Sequence, residues 1–292
     1  MAERKPRFRR VRISYQPTPR DLEIVRHVAQ HRFLTTPHFR KLVKGGGQGI
    51  VRRLHVLYHA GVLDRPRAQL EYFHRAGSKP MVYGLGPQGA RMLCQRGDKN
   101  RIDWTAKNRA ATKLFIEHTL RVADFMVALE VACRGAGVQF KRVTERSAPP
   151  RWSVPLDHHA GCSSLGVIPD AVFELHRPEQ PPVHYCLEAD RATMPVQRRH
   201  LRQTSVFRKL LAYHATWKKR VLQERYGWSR FRVLTVTTSA DRVAHLSEAA
   251  RALPSGHGLF LFADEAQLAS APDALSICWE QPHGQPAVTL LP

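Results

Sequence analysis

The order of helical and strand-like patterns after residue 112 limits the folds open to this chain of 292 residues. A single apolar stripe along TKLFIEHTLRVADFMVALEVACRG predicts a long helix that Gly135 and Gly137 end. The patterns that follow predict a strand at 138–143, an irregular proline-rich stretch at 148–155, and strands at 167–175 and 183–189. After these come a predicted helix at 197–225, the strand FRVLTVTT, a helix at 242–252, and strands at GLFLF and SICWE. This order predicts an α/β domain built around a mixed sheet.

The first hundred residues show three short helical patterns and then a hairpin pattern. The helices are predicted at 19–32, from Thr35 through HFRKLV, and along IVRRLHVLYHA up to Gly61. LEYFH and MVYGL alternate apolar and polar side chains on either side of RAGSKP, and GPQGARML begins a last short helix. Three helices followed by a β-hairpin form the winged helix-turn-helix order, so we expect an α+β domain of that type ahead of the α/β domain.

Composition places the boundaries between these parts. The predicted parts are a basic arm at 1–18 that is disordered when free, the winged helix-turn-helix domain at 19–97, a polar linker at 98–111 and the α/β domain at 112–292. Five scattered cysteines without a CxxC pair predict reduced thiols, and no apolar run approaches the ~18 residues of a membrane span. We therefore expect a cytoplasmic protein with no membrane partner.

The charge of the chain is strongly positive and is concentrated in its first third. Lys and Arg number 46 against 24 Asp and Glu, a net charge of +22, and residues 1–100 hold 21 of the basic and 6 of the acidic side chains. We expect a double-stranded DNA partner, with a basic but inert surface or a protein-binding role for the domain as the alternatives. In the winged helix frame Gln48, Arg52 and Arg53 would face the bases, and the phosphates would be contacted by Arg65, Arg67, Arg75 and Lys79.

Two acids, Asp170 and Glu188, lie at the ends of what are predicted to be two neighbouring strands, which raises the question of a metal-dependent nuclease site. Eight segments follow one another along nearly the whole chain: PRDLEIVRHVAQHRFLTTPHF, RRLHVLYHAGVLDR, YGLGPQGARML, IEHTLRVADF, VIPDAVF, CLEADRAT, RKLLAYH and FRVLTVTTSADR. In this order they resemble the replication-relaxation family, whose members belong to plasmids and other mobile elements and are thought to act in replication and in DNA relaxation or mobilisation.

The resemblance implies that the second half has the PD-(D/E)xK, restriction-endonuclease-like fold. Pro169-Asp170 would then supply the first acid and Glu188 the second, both as ligands of Mg²⁺, with Glu117 as a third carboxylate. The chain departs from the family pattern at the lysine, because Asp190 stands in that position. Lys209, on the helix that follows, would be a migrated substitute for the lysine.

Asp190 leaves two interpretations open. A third carboxylate would strengthen metal binding, whereas in a structural role the acids would pair with Arg191, Lys209 or neighbouring arginines. The favoured hypothesis is a DNA-binding accessory protein of a plasmid or other mobile element, with a degenerate nuclease-like domain that forms a homodimer or contacts a relaxase or replication initiator. The alternatives are a Mg²⁺-dependent DNA endonuclease, or nickase, that uses Asp170 and Glu188, and a transcriptional repressor of a mobile-element or defence operon.

Overall fold

The computed structural model describes residues 9–11, 13–72, 80–97, 105–145, 149–156, 163–282 and 286–290. The chain divides into two compact units, residues 1–127 and 128–292, and the division falls within the helix Lys113–Gly135. Each unit combines helices with at least one sheet, so the predicted α/β class is confirmed. Among the described residues, no helix has the length and apolar character that crossing a membrane requires.

The first unit consists of short helices around a three-stranded antiparallel sheet with the order β1-β3-β2. Its elements are α1 (Pro19–His31), β1 (Phe33–Thr35), α2 (Thr36–Leu42), α3 (Gly47–His59), β2 (Leu63–Asp64), a 3₁₀ helix (Arg67–Tyr72), β3 (Val82–Leu85), α4 (Pro87–Gln95), α5 (Thr105–Arg109) and the first part of α6 (Lys113–Gly135).

The three predicted helices of the first unit are confirmed within a few residues at their ends, because local chemistry defines them. The Asp21 carboxylate accepts a hydrogen bond from the Thr18 backbone N–H at 2.7 Å and so fixes the start of α1. His38 Nδ1 accepts one from the Thr35 N–H at 3.1 Å at the start of α2. The apolar face of α3, with Ile50 and Leu54 fully buried, packs into the core of the unit.

The first strand of the predicted hairpin is wrong. Residues 70–72 lie in the 3₁₀ helix, and β3 pairs instead with β2 at Leu63–Asp64. The side chain of Gln69 takes over part of the role of a strand, since its amide group accepts from the Val82 N–H and donates to the Val82 carbonyl, each at 2.9 Å. Residues 73–79, including the predicted phosphate contacts Arg75 and Lys79, lie outside the described part of the chain.

The second unit is built on a five-stranded mixed sheet with the order β10-β9-β8-β7-β4. Its strands are β4 (Gln139–Arg142), β5 (Trp152–Pro155), β6 (Ser164–Val167), β7 (Ala171–His176), β8 (Val183–Ala189), β9 (Phe231–Thr237) and β10 (Phe260–Asp264). β8, β9 and β10 run parallel, whereas β4, β7 and β8 run antiparallel, and β5 and β6 form a separate hairpin. The helices are α7 (Val206–Lys218), α8 (Val221–Tyr226), α9 (Ala240–Arg251), a 3₁₀ turn at His257–Leu259 and α10 (Glu265–Ser270).

The structure corrects four of the predicted elements in this unit. The strand predicted at 167–175 is two strands that belong to different sheets, because Pro169 cannot donate to a ladder and interrupts the run. The stretch predicted to be irregular contains β5, which the indole of Trp152 anchors by donating to the Thr216 hydroxyl at 2.8 Å. The helix predicted at 197–225 is two helices, α7 from Val206 and α8 to Tyr226, and SICWE forms only isolated bridges.

Candidate functional site

Asp170 and Glu188 meet at one edge of the five-stranded sheet. The register of β7 and β8 pairs Ala171 with Leu187, which brings Asp170 beside the end of β8. The backbone N–H of Asp170 donates to the Leu187 carbonyl at 3.0 Å, and the Ala189 N–H donates to Asp170 Oδ2 at 2.8 Å. These hydrogen bonds fix the backbone and the carboxylate of Asp170 next to Glu188.

The helix α7 adds a lysine and a tyrosine to this pair of acids. Ser205 caps α7, accepting from the Arg208 N–H at 3.2 Å, and the helix then presents Lys209 and Tyr213 one turn apart. Lys209 Nζ donates to Glu188 Oε2 at 2.6 Å, and the Tyr213 hydroxyl donates to Glu188 Oε1 at 2.7 Å. The structure therefore brings together Asp170, Glu188 and Lys209, as the family resemblance predicted.

Burial controls the ionisation of this cluster. Glu188 is 6 % exposed, and its burial raises the pKa of its carboxyl group against the opposing charge of Lys209. Asp170 raises it further. Burial by itself would lower the pKa of Lys209, but the negative charges of Glu188, Asp170 and Asp190 outweigh it and leave that pKa above its ordinary value. Lys209 is therefore held as a cation among acids.

Asp190, which stands where the family pattern has lysine, is paired elsewhere. Its Oδ2 accepts from Arg242 Nε at 2.8 Å and from the Thr237 hydroxyl at 2.9 Å, and its Oδ1 accepts from the Ala192 N–H at 3.2 Å. Both side chains of the Asp190–Arg242 pair are nearly buried. This arrangement favours the structural interpretation of Asp190 over the metal-ligand one, because Arg242 neutralises its charge inside the fold.

The donor set of the cluster fits a hard divalent cation such as Mg²⁺. Asp170 and Glu188 offer carboxylate oxygens, and each such oxygen has a second lone pair beside the one that accepts a hydrogen bond. The charge of Asp170 helps to raise the pKa of the Glu188 carboxyl group, an effect that a bound cation would relieve. Glu117, the third predicted ligand, lies on α6 within the first unit, and its role stays a prediction.

On the first unit, three of the predicted DNA contacts are exposed. Gln48 and Arg52 project from α3, and Arg67 lies at the start of the 3₁₀ helix. The exposed side of α3 also carries Val51, of which 41 % is accessible. The exposed side of α3 thus presents an amide, a cation and a small apolar group.

Two other predicted DNA contacts, Arg53 and Arg65, interact with side chains of the first unit, so we no longer assign them to the DNA-binding surface. Arg53 makes a bidentate ion pair with buried Asp21, with Nε at 2.6 Å from Oδ1 and Nη2 bonded to Oδ2. Arg65 is 8 % exposed, and its guanidinium lies 4.0 Å from the ring centroid of Tyr58. The sequence pattern did not predict the pairing of Arg53 with Asp21, because the two residues are 32 positions apart on separate helices.

Two residues that contact the acids, Tyr213 and Arg242, were not among the predicted site residues. Tyr213 could be predicted because it lies one turn from Lys209 on the same helix. Arg242 and Asp190 are 52 residues apart and lie on separate elements, so no local pattern connects them. The one available indication was that an unpaired acid at a strand end needs a cation nearby.

Comparison with known proteins gives one match. A family model described as Replication-relaxation matches residues 25–230, which include all of the cluster from Asp170 to Tyr213. No curated protein and no solved structure matches the chain.

Proposed function

The chain belongs to the replication-relaxation family, and we propose that it nicks DNA by metal-dependent hydrolysis in the replication or relaxation of a plasmid or other mobile element. The observation that carries the proposal is the 2.6 Å hydrogen bond from Lys209 Nζ to Glu188 Oε2. It supplies, from a helix, the cation that the sequence lacks at residue 190. Two carboxylates and an ammonium group thus lie together at one end of the strands, and such groups can hold a metal ion and stabilise the charge that develops in phosphodiester hydrolysis.

The fold around the cluster supports the nuclease-like interpretation. A helix, the antiparallel strands β4, β7 and β8, the helix α7 and the parallel strand β9 follow one another in the order that the sequence patterns predict. Asp170 directly precedes β7 and Glu188 lies near the end of β8, which are the positions that the family pattern gives to the two acids. What matters for catalysis is where the ammonium group of the lysine lies, so a lysine on α7 can replace one on β8.

In the proposed mechanism Asp170 and Glu188 would hold Mg²⁺. The bound ion would polarise the scissile phosphate and lower the pKa of a water molecule. Lys209 places a positive charge beside the carboxylates, where it would stabilise the negative charge that develops on the phosphate oxygens. Tyr213 fixes the orientation of Glu188, and Arg242 removes the repulsion that Asp190 would exert on the phosphate.

We propose that the first unit binds duplex DNA as a winged helix-turn-helix domain. Three helices, a small antiparallel sheet and an exposed Arg52 on α3 support this proposal, together with the excess of basic side chains in residues 1–100. α3 would enter the major groove with Gln48 and Arg52 toward the bases. Winged helix proteins commonly bind two-fold sites, so we also propose that the protein acts as a homodimer and contacts a relaxase or replication initiator.

A second candidate function is a non-catalytic DNA-binding accessory protein. It is favoured by the hydrogen bonds that Lys209 and Tyr213 make to the two oxygens of Glu188, since a buried carboxylate with two donors is also a stable structural arrangement. The two functions differ in one respect that is easily measured, namely whether DNA is cut.

The test is incubation of the full-length protein with supercoiled plasmid in low salt, with Mg²⁺ or Mn²⁺ and with EDTA as the metal-free control. We expect nicking with metal, and its loss in Asp170→Asn. Asp241→Asn, which changes an exposed aspartate on α9, is the matched control and should nick like the wild type. Retardation of the plasmid without nicking by the wild type would contradict the nuclease proposal and support the accessory function.

A further inference from the structure

A cavity lies at the opposite end of the parallel strands from Asp170 and Glu188. It is lined by residues at or before the starts of β8, β9 and β10, among them Tyr185, Arg230, Arg232 and Gly258. β8 runs from this cavity toward Glu188 over a distance on the order of 20 Å for its seven residues. The cavity is therefore separate from the cluster of Asp170, Glu188, Lys209 and Tyr213, which we call the nuclease-like cluster.

The size of this cavity suits a small organic ligand. Its volume is about 680 Å³, within the roughly 300–1,000 Å³ of typical ligand sites. Leu259 and Leu290 form buried apolar parts of the wall, and Ser229 and Gln180 add exposed polar groups at the rim. A wall of this kind takes a ligand with one apolar and one polar part.

The charge of the cavity favours an anion. Arg230 and Arg232 both line it, and within the described residues neither guanidinium makes an ion pair or a hydrogen bond. None of the described lining residues is acidic. Each guanidinium group offers N–H donors in a planar fork that suits a phosphate group, and the cavity contains two of them.

The aromatic residues of the cavity favour a planar ligand. Trp217, at the end of α7, lines the cavity and is 43 % exposed, which is a large exposure for an indole ring. The backbone of Gly256 supports the ring, because a methyl group added at Gly256 would lie 3.0 Å from Trp217 Cε3 and Cζ3. Half-buried Phe231 is a second aromatic ring in the wall.

We propose that this cavity binds a nucleotide unit, with its base stacked on Trp217 and its phosphate between Arg230 and Arg232. A nucleotide combines the planar π-surface and the anion that these three side chains select together. The nucleotide would come from one of two sources, free nucleotide or a nucleotide of single-stranded DNA. Binding here involves none of the residues of the nuclease-like cluster and holds whether or not that cluster cuts DNA.

The experiment measures binding of dAMP and dTMP to the full-length protein by calorimetry in EDTA, and binding of a labelled five-nucleotide single strand by fluorescence anisotropy. We expect one site for the wild type and about tenfold or greater weakening in Trp217→Ala and in Arg232→Ala, whereas Trp217→Phe keeps a stacking ring and retains most of the affinity. Arg199→Ala removes the same charge from an exposed position outside the cavity and should bind as the wild type does.

The outcomes separate the two sources and the failure of the proposal. Mononucleotide binding that depends on Trp217 and Arg232 supports a free nucleotide as ligand. Binding of the single strand alone, with the same dependence, supports a nucleotide within a strand. The proposal is overturned when neither ligand binds, or when binding is unchanged in both cavity variants, provided that thermal unfolding shows these variants to be folded.

Discussion

At the scale of single residues, the role of a charged side chain depends on its neighbours in the folded protein. Its position in the sequence indicates only part of that role. Lys209 lies 21 residues after Glu188 yet donates to its carboxylate at 2.6 Å. The sequence allowed this contact to be predicted, because the family pattern includes the segment around Lys209. The pairing of Asp190 with Arg242 could not be predicted, since it depends on how α9 returns to the sheet.

Removal of the Tyr213 hydroxyl should destabilise the second unit. Tyr213→Phe leaves the buried Glu188 carboxylate without one of its two donors, and we expect a loss of about 2 kcal/mol in the free energy of unfolding. The matched control is Tyr226→Phe, which removes a hydroxyl that donates to the more exposed Glu145. Urea unfolding should show the smaller loss for Tyr226→Phe, and equal losses would contradict the role given to burial.

Alanine substitutions of the neighbouring residues Arg52 and Arg53 on α3 should affect different properties, namely DNA affinity for Arg52 and stability for Arg53. Arg53→Ala breaks the ion pair with buried Asp21, and we expect a loss of about 2–3 kcal/mol, since Asp21 keeps its hydrogen bonds from Thr18 and Tyr15. Hydrogen exchange of the α1 amides measures this loss. Arg52→Ala should leave exchange unchanged and weaken DNA binding by about 1–3 kcal/mol if Arg52 contacts bases. The opposite pattern would exchange the roles of the two residues.

The Asp21–Arg53 pair also predicts a pH dependence. Burial alone would raise the pKa of Asp21, but hydrogen bonds from Arg53 and Thr18 outweigh it and hold that pKa below its ordinary value of 3.8. Stability from a lowered carboxyl pKa is fully present above the ordinary value and is lost as the pH falls through the folded pKa. The difference between wild type and Arg53→Ala should therefore be constant near neutral pH and shrink below about pH 4. If the stability difference between the wild type and Arg53→Ala grew as the pH fell, it would contradict a lowered pKa of Asp21 in the folded protein.

At the scale of helices and strands, local capping and periodicity were predictable and long-range pairing was not. α1, α2, α3 and α9 follow from their apolar faces and capping residues. The strand predicted at 167–175 failed because its two halves pair with different partners on either side of Pro169, which an uninterrupted apolar pattern does not reveal. Likewise, the 3₁₀ helix at Arg67–Tyr72 depends on the contact of Gln69 with Val82 and has no local signature.

The packing of α4 against the chain after α3 gives a prediction at this scale. A methyl group added at Gly89 would lie 2.4 Å from the Val62 carbonyl oxygen, so Gly89→Ala must displace α4 and should cost about 2 kcal/mol or more. Gly49, on α3, has no atom within 4 Å of an added methyl group. Gly49→Ala should therefore be neutral or stabilise by up to about 1 kcal/mol. Thermal unfolding of both variants tests this, and a stable Gly89→Ala protein would contradict the close packing.

At the scale of the whole molecule, the uneven charge is the property that the sequence predicts most directly. The net charge of +22 follows from the sequence alone, and its concentration in the first hundred residues indicates where a polyanion such as DNA would bind. The folded structure also shows which of these basic side chains are exposed. It also adds the nuclease-like cluster, whose members come from three separate elements of the second unit and meet only after folding.

Salt should weaken the affinity for duplex DNA steeply. If the basic surface makes six or more phosphate contacts, the affinity should fall by about a thousandfold or more between roughly 50 and 200 mM salt. Fluorescence anisotropy with a labelled duplex measures the slope, and a substitution that removes one phosphate contact, such as Arg67→Ala, should reduce it by about one unit. An affinity that does not change with salt would contradict electrostatic binding of DNA.

The most direct test of a nuclease site completed by Lys209 is the rate of metal-dependent plasmid nicking in Lys209→Met and Asp190→Asn, each beside the wild type. In the structure the ammonium group of Lys209 donates to Glu188, whereas Asp190 is paired with Arg242. We therefore expect Lys209→Met to lose nicking by a hundredfold or more, as loss of a charge-stabilising group does, and Asp190→Asn to retain most of it while losing stability. Undiminished nicking by Lys209→Met, or the absence of nicking by the wild type, would contradict the proposed role of the cluster.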